Sequence, residues 1–387
     1  VPAQIIRAAR ALTPLEEIKD AAVVVEDGRI VAIGRNEQIS APANARELKF
    51  LDCTLVPGFV DVHIHGGGGH DVMEATSEAL AIVAQTAAKK GTTTLIATTV
   101  SAPLDATCKC VEGIAGYIEK QQPQTGAQAE IAGIHFEGPF ISAARRGVHP
   151  PDALLAPTRK SFEKLLQAAH GYARLLTIAP ELAGALEVID AARAAGLVIG
   201  LGHTDANYDQ AHEGIEHGAR HAVHVFNAMR PFSHRETGVL GAVLTDRRVS
   251  TEVIADGVHV DAPAIQLLVE AKGADAVILV SDGISATGMP DGQYRLGGSE
   301  CMVTAGVCRN SEGKLAGSTL TLDRAVRHMT SLGVPIQQAV KMATFNPARQ
   351  MGLEKKKGVL APGADADLAL LTPELQIAAV MTRGTGL

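Results

Sequence analysis

The chain has 387 residues, enough for one barrel of about 250 residues with a smaller domain beside it. At 46% hydrophobic and 20% charged it has the make-up of a folded globular protein, which excludes disorder. A net charge of −7, 3% aromatics and no tryptophan argue against a nucleic-acid or anionic-membrane binder, which needs basic stripes and stacking rings.

The opening residues, VPAQIIRAAR, do not read as a leader, and no window approaches the ~18 apolar residues of a membrane span. Residues 21–34, AAVVVEDGRIVAIG, set two β-branched runs around Asp27-Gly28, a hairpin pattern. Near the other end, KGVLAPGADADLALLTPELQIAAVMTRG is built alike, with short apolar runs broken by Gly, Pro and Asp. Both ends are therefore predicted to form one small β-sandwich domain, residues 1–57 with 355–387, flanking a central body of residues 58–354.

Eight buried-strand runs follow one another in that body: 59–65, 92–100, 131–138, 175–181, 197–204, 219–229, 249–259 and 276–283. Between most of them lie Ala-rich amphipathic stretches ending in Gly, such as ALEVIDAARAAG and APAIQLLVEAKG, which fit helices. Eightfold alternation of strand and helix predicts an α/β fold, a (β/α)8 TIM-like barrel. An open doubly wound sheet is the alternative, and no GxGxxG follows the first strand to support it. Five cysteines with no CxxC pair point to a reducing, cytoplasmic setting.

A (β/α)8 barrel carries its chemistry at the carboxyl ends of its strands. The runs deliver His63 and His65, Glu137, His203, His224, His259 and Asp282 to that rim. His63 and His65 are two apart on a strand, so both rings point to one side and can meet one ion. Glu137 sits in an apolar strand with no partner visible nearby, and a metal compensates a buried carboxylate. Taken singly, His203 and His224 read as satisfied core histidines. With Glu137 they form a two-nitrogen, one-oxygen set with an open position, the pattern of catalytic zinc.

Asp282 is placed to act as general base, or else to cap the segment SDGISA. His259 can polarise a carbonyl or make a loop hydrogen bond. Arg235 and His149 read as solvated loop residues unless the substrate carries a phosphate or carboxylate. His135 shares a face with Glu137 and receives no role. His70, His170, His212, His217, His221 and His328 receive none either. Lys355, Lys356 and Lys357 read as a surface charge run beside the domain junction.

The segments PGFVDVHIHG, HFEGPF, GVHP, LGHT, HVFNAMRPF, DGVHVD and LVSDG, in this order, resemble the N-acetylglucosamine-6-phosphate deacetylase family of the amidohydrolase superfamily over nearly the whole chain. VDxHxHG marks only the superfamily; HFEGPF with HxxNAM and DGxH is narrower. The resemblance implies metal-dependent hydrolysis of the acetamide of N-acetylglucosamine 6-phosphate. It implies that Glu137, His203 and His224 hold a principal ion, and that His63 and His65 hold a second with Glu137 bridging. One or two divalent ions per chain are thus expected, zinc first, with iron, manganese or cobalt as alternatives.

The resemblance also makes Asp282 the base and then the acid for the leaving amine, with His259 helping to hold the carbonyl. It maps sugar-phosphate contacts to His149, Asn227, Ala228, Arg235 and His259, with Arg235 reaching in from a neighbouring subunit of a homodimer. Backbone around Leu315 and Ala316 would line the sugar pocket. The superfamily's bridging lysine is missing from LLTIAPE, and Glu137 fits its place. Another amidohydrolase, above all an N-acetylgalactosamine-6-phosphate deacetylase, remains the rival reading, followed by a non-catalytic scaffold.

Overall fold

Asp27 and Gly28 both take positive φ, 47° and 76°, in the computed structural model of the chain. That is the turn whose twist matches two right-twisted strands, and it joins Glu17–Glu26 to Arg29–Arg35 as the sequence predicts. The structure describes residues 3–122 and 126–387, so residues 1 and 2 of the expected terminal domain lie outside the described residues. A six-stranded sheet is ordered Ile377–Met381, Leu368–Leu371, Arg46–Pro57, Gln4–Leu12, Glu17–Glu26, Arg29–Arg35. Both chain ends thus build it. All six strands feed one apolar cluster, including Ile6, Val23, Ile30, Leu55, Leu368 and Met381, so the sheet folds over its own inner face. Leu12, Val56, Ala369 and Leu371 pack instead into the core of the central body.

The central body holds eight parallel strands in sequential order: β1 (Phe59–Ile64), β2 (Thr92–Thr99), β3 (Glu130–Glu137), β4 (Ala173–Ile178), β5 (Val198–Leu201), β6 (His221–Ala222), β7 (Ser250–Val253) and β8 (Val277–Leu279). The barrel closes just past the end of β8. There His65 N–H donates to the Gly283 carbonyl at 2.8 Å, and Asp282 N–H donates to the His63 carbonyl at 2.9 Å. Asp61 ties the same seam, accepting from the backbone N–H groups of His63 and Ser281 at 3.3 Å each. The seam therefore sets His63, His65 and Asp282 side by side.

Most linking helices bury one stripe, whereas Gly238–Thr245 is buried on nearly all sides. In Ser77–Ala88, Leu80, Val83, Ala84 and Ala87 face the strands, and the Thr76 side chain caps the first turn. After β8 the chain makes a three-stranded antiparallel flap, Gly292–Leu296, Ser299–Thr304 and Val307–Asn310, that packs on Val100, Ile284 and Ala316. Among the described residues no helix is long and apolar enough to cross a membrane.

Lys357 departs from the sequence reading. Lys355 and Lys356 are exposed, but Lys357 is buried where the terminal domain meets the barrel. Its Nζ lies 2.6 Å from Glu130, 2.7 Å from Asp367 and 3.0 Å from Asp365. Burial works against its charge, but Asp367, Glu130 and Asp365 outweigh it and hold its pKa above the ordinary lysine range.

Candidate active site

Three site residues leave their strands with the backbone in the left-handed region: His203 at φ 47°, His224 at φ 30° and Asp282 at φ 48°. Non-glycine residues rarely adopt it, and each such position costs on the order of 1–3 kcal/mol. Neighbouring backbone holds them there. Ser142 N–H donates to the His203 carbonyl at 2.8 Å, and Ser318 N–H donates to that of Asp282 at 2.8 Å. The sharp exits turn all three side chains into the barrel mouth.

Glu137, at the end of β3, is the centre of the cluster. Its Oε1 lies 3.1 Å from His203 Nε2, 3.1 Å from His224 Nε2 and 3.2 Å from His63 Nε2. Its Oε2 lies 3.3 Å from His65 Nε2 and 3.2 Å from His149 Nε2. Asp282 Oδ1 is 3.1 Å from His65 Nε2 and 3.6 Å from His63 Nε2. All these residues are buried.

For His63, His65 and His203 the far side of the ring sets the tautomer. Nδ1–H of His63 donates to Glu252 Oε2 at 3.0 Å, that of His65 to the Thr98 carbonyl at 3.1 Å, and that of His203 to the Arg145 carbonyl at 2.9 Å. With Nδ1 committed in this way, each Nε2 is aimed at the two carboxylates, and in the neutral form of the ring it offers a lone pair there. His203 Nε2 and His224 Nε2 even face one another at 3.1 Å. Such a surplus of acceptors fits a divalent cation. Three ligand groups with atoms within 4.8 Å of one another overlap here: His63, His65 and Asp282; His63, Glu137 and His224; Glu137, His149 and His203.

The electrostatics agree. Burial opposes the charged forms of His63 and His65, yet the carboxylates prevail. Glu137 and Glu252 raise His63 well above its usual range, and Asp282 and Glu137 raise His65 to about 9. Burial would likewise protonate Glu137 and Asp282, but the surrounding imidazoles hold both below the ordinary carboxylate range. The site stabilises positive charge at its centre.

His149 is not a solvated loop residue. Its Nδ1 accepts from Ser101 N–H at 3.1 Å, so Nε2 carries the proton and donates to Glu137 Oε2. Burial pushes its pKa down to about 4. Asp282 caps no helix here. His259 is held by Asp256, through its backbone N–H at 2.8 Å and its Nδ1 at 2.7 Å. A cavity of about 350 Å³ opens above the cluster, lined by His65, Glu137, His149, His203, His224, His259 and Asp282, with Asn227, Ala228, Arg145, Arg146, Leu315 and Lys314 also on its wall.

Three predicted residues are not on that wall. His63 lies beneath it, Ala316 faces the core of the flap, and Arg235 sits in an exposed loop. One residue went unpredicted: Glu252 of β7, fully buried, which accepts from His63 Nδ1, from His221 Nε2 at 2.6 Å and from His224 N–H at 3.1 Å. His221, given no role in the sequence, is its partner. A lone carboxylate in the strand STEVI carried the same signal that singled out Glu137.

A (β/α)8 barrel with a histidine–carboxylate cluster at its carboxyl rim defines a hydrolase of the metal-assisted class. The chain belongs to the amidohydrolase family, whose sequence pattern matches residues 54–386. It is 34% identical to the N-acetylglucosamine-6-phosphate deacetylase of Lysinibacillus sphaericus over 361 residues, 91% of this chain and 89% of that one. It is 35% identical to the N-acetylgalactosamine-6-phosphate deacetylase of Escherichia coli O157:H7 over 381 residues, 98% of each. The structure of a Mycobacterium smegmatis N-acetyl-D-glucosamine-6-phosphate deacetylase variant, in complex with N-acetyl-D-glucosamine-6-phosphate, superposes with a TM-score of 0.92 at 37% identity, covering 100% of this chain and 99% of that one.

Proposed function

We propose that the chain hydrolyses the acetamide of N-acetylglucosamine 6-phosphate, giving glucosamine 6-phosphate and acetate. The observation that carries this reading is the carboxyl of Asp282 on the cavity wall, 3.1 Å from His65 Nε2 at the edge of the Glu137 cluster, where the neighbouring imidazoles favour its charged form. Glu137, His203 and His224 would hold one divalent ion, zinc by preference, and His63 and His65 a second with Glu137 between them. An ion held by these residues would supply Lewis-acid chemistry, activating water and polarising the amide carbonyl.

Asp282 takes the proton from the attacking water as its oxygen bonds to the acetyl carbon. Asp282 then returns that proton to the sugar nitrogen as the C–N bond breaks, leaving acetate and a free amine. His259, its Nδ1 fixed by Asp256, presents Nε2 to the substrate and steadies the carbonyl oxygen. Asn227, Ala228 and Leu315 support sugar-phosphate recognition from the cavity wall, His149 supports it from the same wall while tied to Ser101 and Glu137, and Ala316 anchors the Leu315 segment from the flap core. Arg235 is assigned to the active site of a second copy, which makes the working unit a homodimer. Five free thiols support a reducing, cytoplasmic setting.

The E. coli relative that acts on the galactosamine epimer favours a second reading of the substrate. Side-by-side kcat/KM on both sugar phosphates and on unphosphorylated N-acetylglucosamine tests the assignment. The glucosamine phosphate is expected to be the best of the three. A higher value for the galactosamine phosphate would move the assignment to the epimer.

A further inference from the structure

Glu252 is a carboxylate with no exposure to solvent, and its ion-pair partners among the described residues are His63 and His221, with no Lys or Arg. A sealed anion is costly unless its charge serves a neighbour. Both oxygens are engaged. Oε1 accepts from His221 Nε2 at 2.6 Å; Oε2 accepts from His63 Nδ1 at 3.0 Å and from His224 N–H at 3.1 Å. Glu252 thereby reaches across the barrel interior, joining β7 to β6 and, past β8, to β1.

The rings around Glu137 are not oriented alike. His65 and His203 donate their Nδ1–H to neutral backbone carbonyls, whereas His63 donates to a carboxylate. A carboxylate behind an imidazole fixes the tautomer and makes the opposite nitrogen a stronger ligand. His63 Nε2 is that opposite nitrogen. It is buried, has no hydrogen bond, and points between Glu137 Oε1 at 3.2 Å and Asp282 Oδ1 at 3.6 Å. We propose that Glu252, backed by His221, is a positioning residue that arms His63 as a metal ligand and so decides whether the chain holds one divalent ion or two. The proposal rests on the metal-dependent reading above.

The test is calorimetric titration of metal-free full-length protein with zinc, repeated with cobalt and followed by its visible absorption. Wild type is expected to take two equivalents. Glu252→Gln keeps the shape and removes the charge. It should keep the first equivalent and weaken the second by about 10–100-fold, the usual effect of losing an outer-sphere carboxylate. In a His63→Gln background the same change should add no further loss, which separates action through His63 from general loosening. Glu252→Asp, which keeps the charge but withdraws it, serves as a second variant if metal-free Glu252→Gln does not melt cooperatively, and should weaken the second equivalent too. An unchanged second equivalent, equal weakening of both, or a wild type that takes only one ion would overturn the proposal while leaving the metal reading intact. A wild type that takes no ion would overturn the metal reading itself.

Discussion

His203 Nε2 and His224 Nε2 face one another at 3.1 Å, and Glu137 Oε1 lies 3.1 Å from each. Two imidazole nitrogens and one carboxylate oxygen converge at these separations, and each can offer a lone pair to a shared centre. A cation satisfies all three. Because an ion binds the folded chain and not the unfolded one, excess zinc should raise the midpoint of thermal unfolding. At a free concentration 1,000 times Kd the gain is about 4 kcal/mol. Glu137→Gln is expected to abolish that rise and to leave the purified protein with less than one metal per chain. A zinc-dependent rise of wild-type size in Glu137→Gln would show that the ion sits elsewhere.

Asp282 lies at the rim of the cluster, so its loss should separate binding from turnover. Asp282→Asn is expected to keep metal content within error of wild type, change KM little and lower kcat by about 10²–10⁴-fold, the usual worth of a positioned acid–base group. Steady-state kinetics with metal analysis on the same sample checks this. Near-normal kcat would remove Asp282 from the role of base.

Much of this site is legible in the sequence because a barrel strand imposes order on what it ends in. β1 and β3 are apolar runs with a period that points His63, His65 and Glu137 to one rim, and no partner chain is needed to see it. Glu252 is harder, since its meaning lies in His63 and His221, far away in sequence and adjacent only once the barrel closes. The left-handed exits of His203, His224 and Asp282 leave no mark, because no glycine announces them. β6 reads as eleven residues and is two, followed by the turn that carries His224 inward. Lys357 hides in a run of three lysines, and only the converging Glu130, Asp365 and Asp367 single it out. The flap strands, alternating exposed and buried across residues 299–304, are too short to separate from a loop by periodicity.

The charge balance within the cluster also predicts a pH dependence. In metal-free protein the hydrogen bonds to Asp282 and Glu137 outweigh burial and raise His65 from 6.5 to about 9. The folded state then holds this proton more tightly than the unfolded one. The stability it contributes is complete below about pH 6.5 and is lost as the pH rises to about 9. Urea midpoints of chelated protein should fall across that window, and His65→Gln should remove part of the fall. An identical slope in wild type and variant would place the linkage on another group.

Lys357 is the buried cation of the domain junction. Lys357→Met leaves Asp367, Glu130 and Asp365 facing one another without it, and should cost about 3–5 kcal/mol in urea unfolding. The fraction that stays folded should keep wild-type kcat, since the junction lies away from the rim. A loss under 1 kcal/mol would mean that water replaces the ammonium.

Arg235 is exposed and off the wall of its own cavity, so its assignment to a second copy has a direct consequence. Arg235→Ala should lower kcat/KM for the sugar phosphate by at least about tenfold, in line with a lost charge-assisted contact. Subunits of Arg235→Ala mixed with inactive Asp282→Asn subunits should regain activity, because one mixed site keeps both groups. Mixtures no more active than their components would place Arg235 outside the partner's site.

The most direct measurement is the metal content of purified protein together with acetate release from N-acetylglucosamine 6-phosphate, before chelation, after it, and after zinc is restored. The account predicts one or two ions per chain, release that disappears with the ions, and recovery when zinc returns. Release that persists in protein stripped of metal would contradict it.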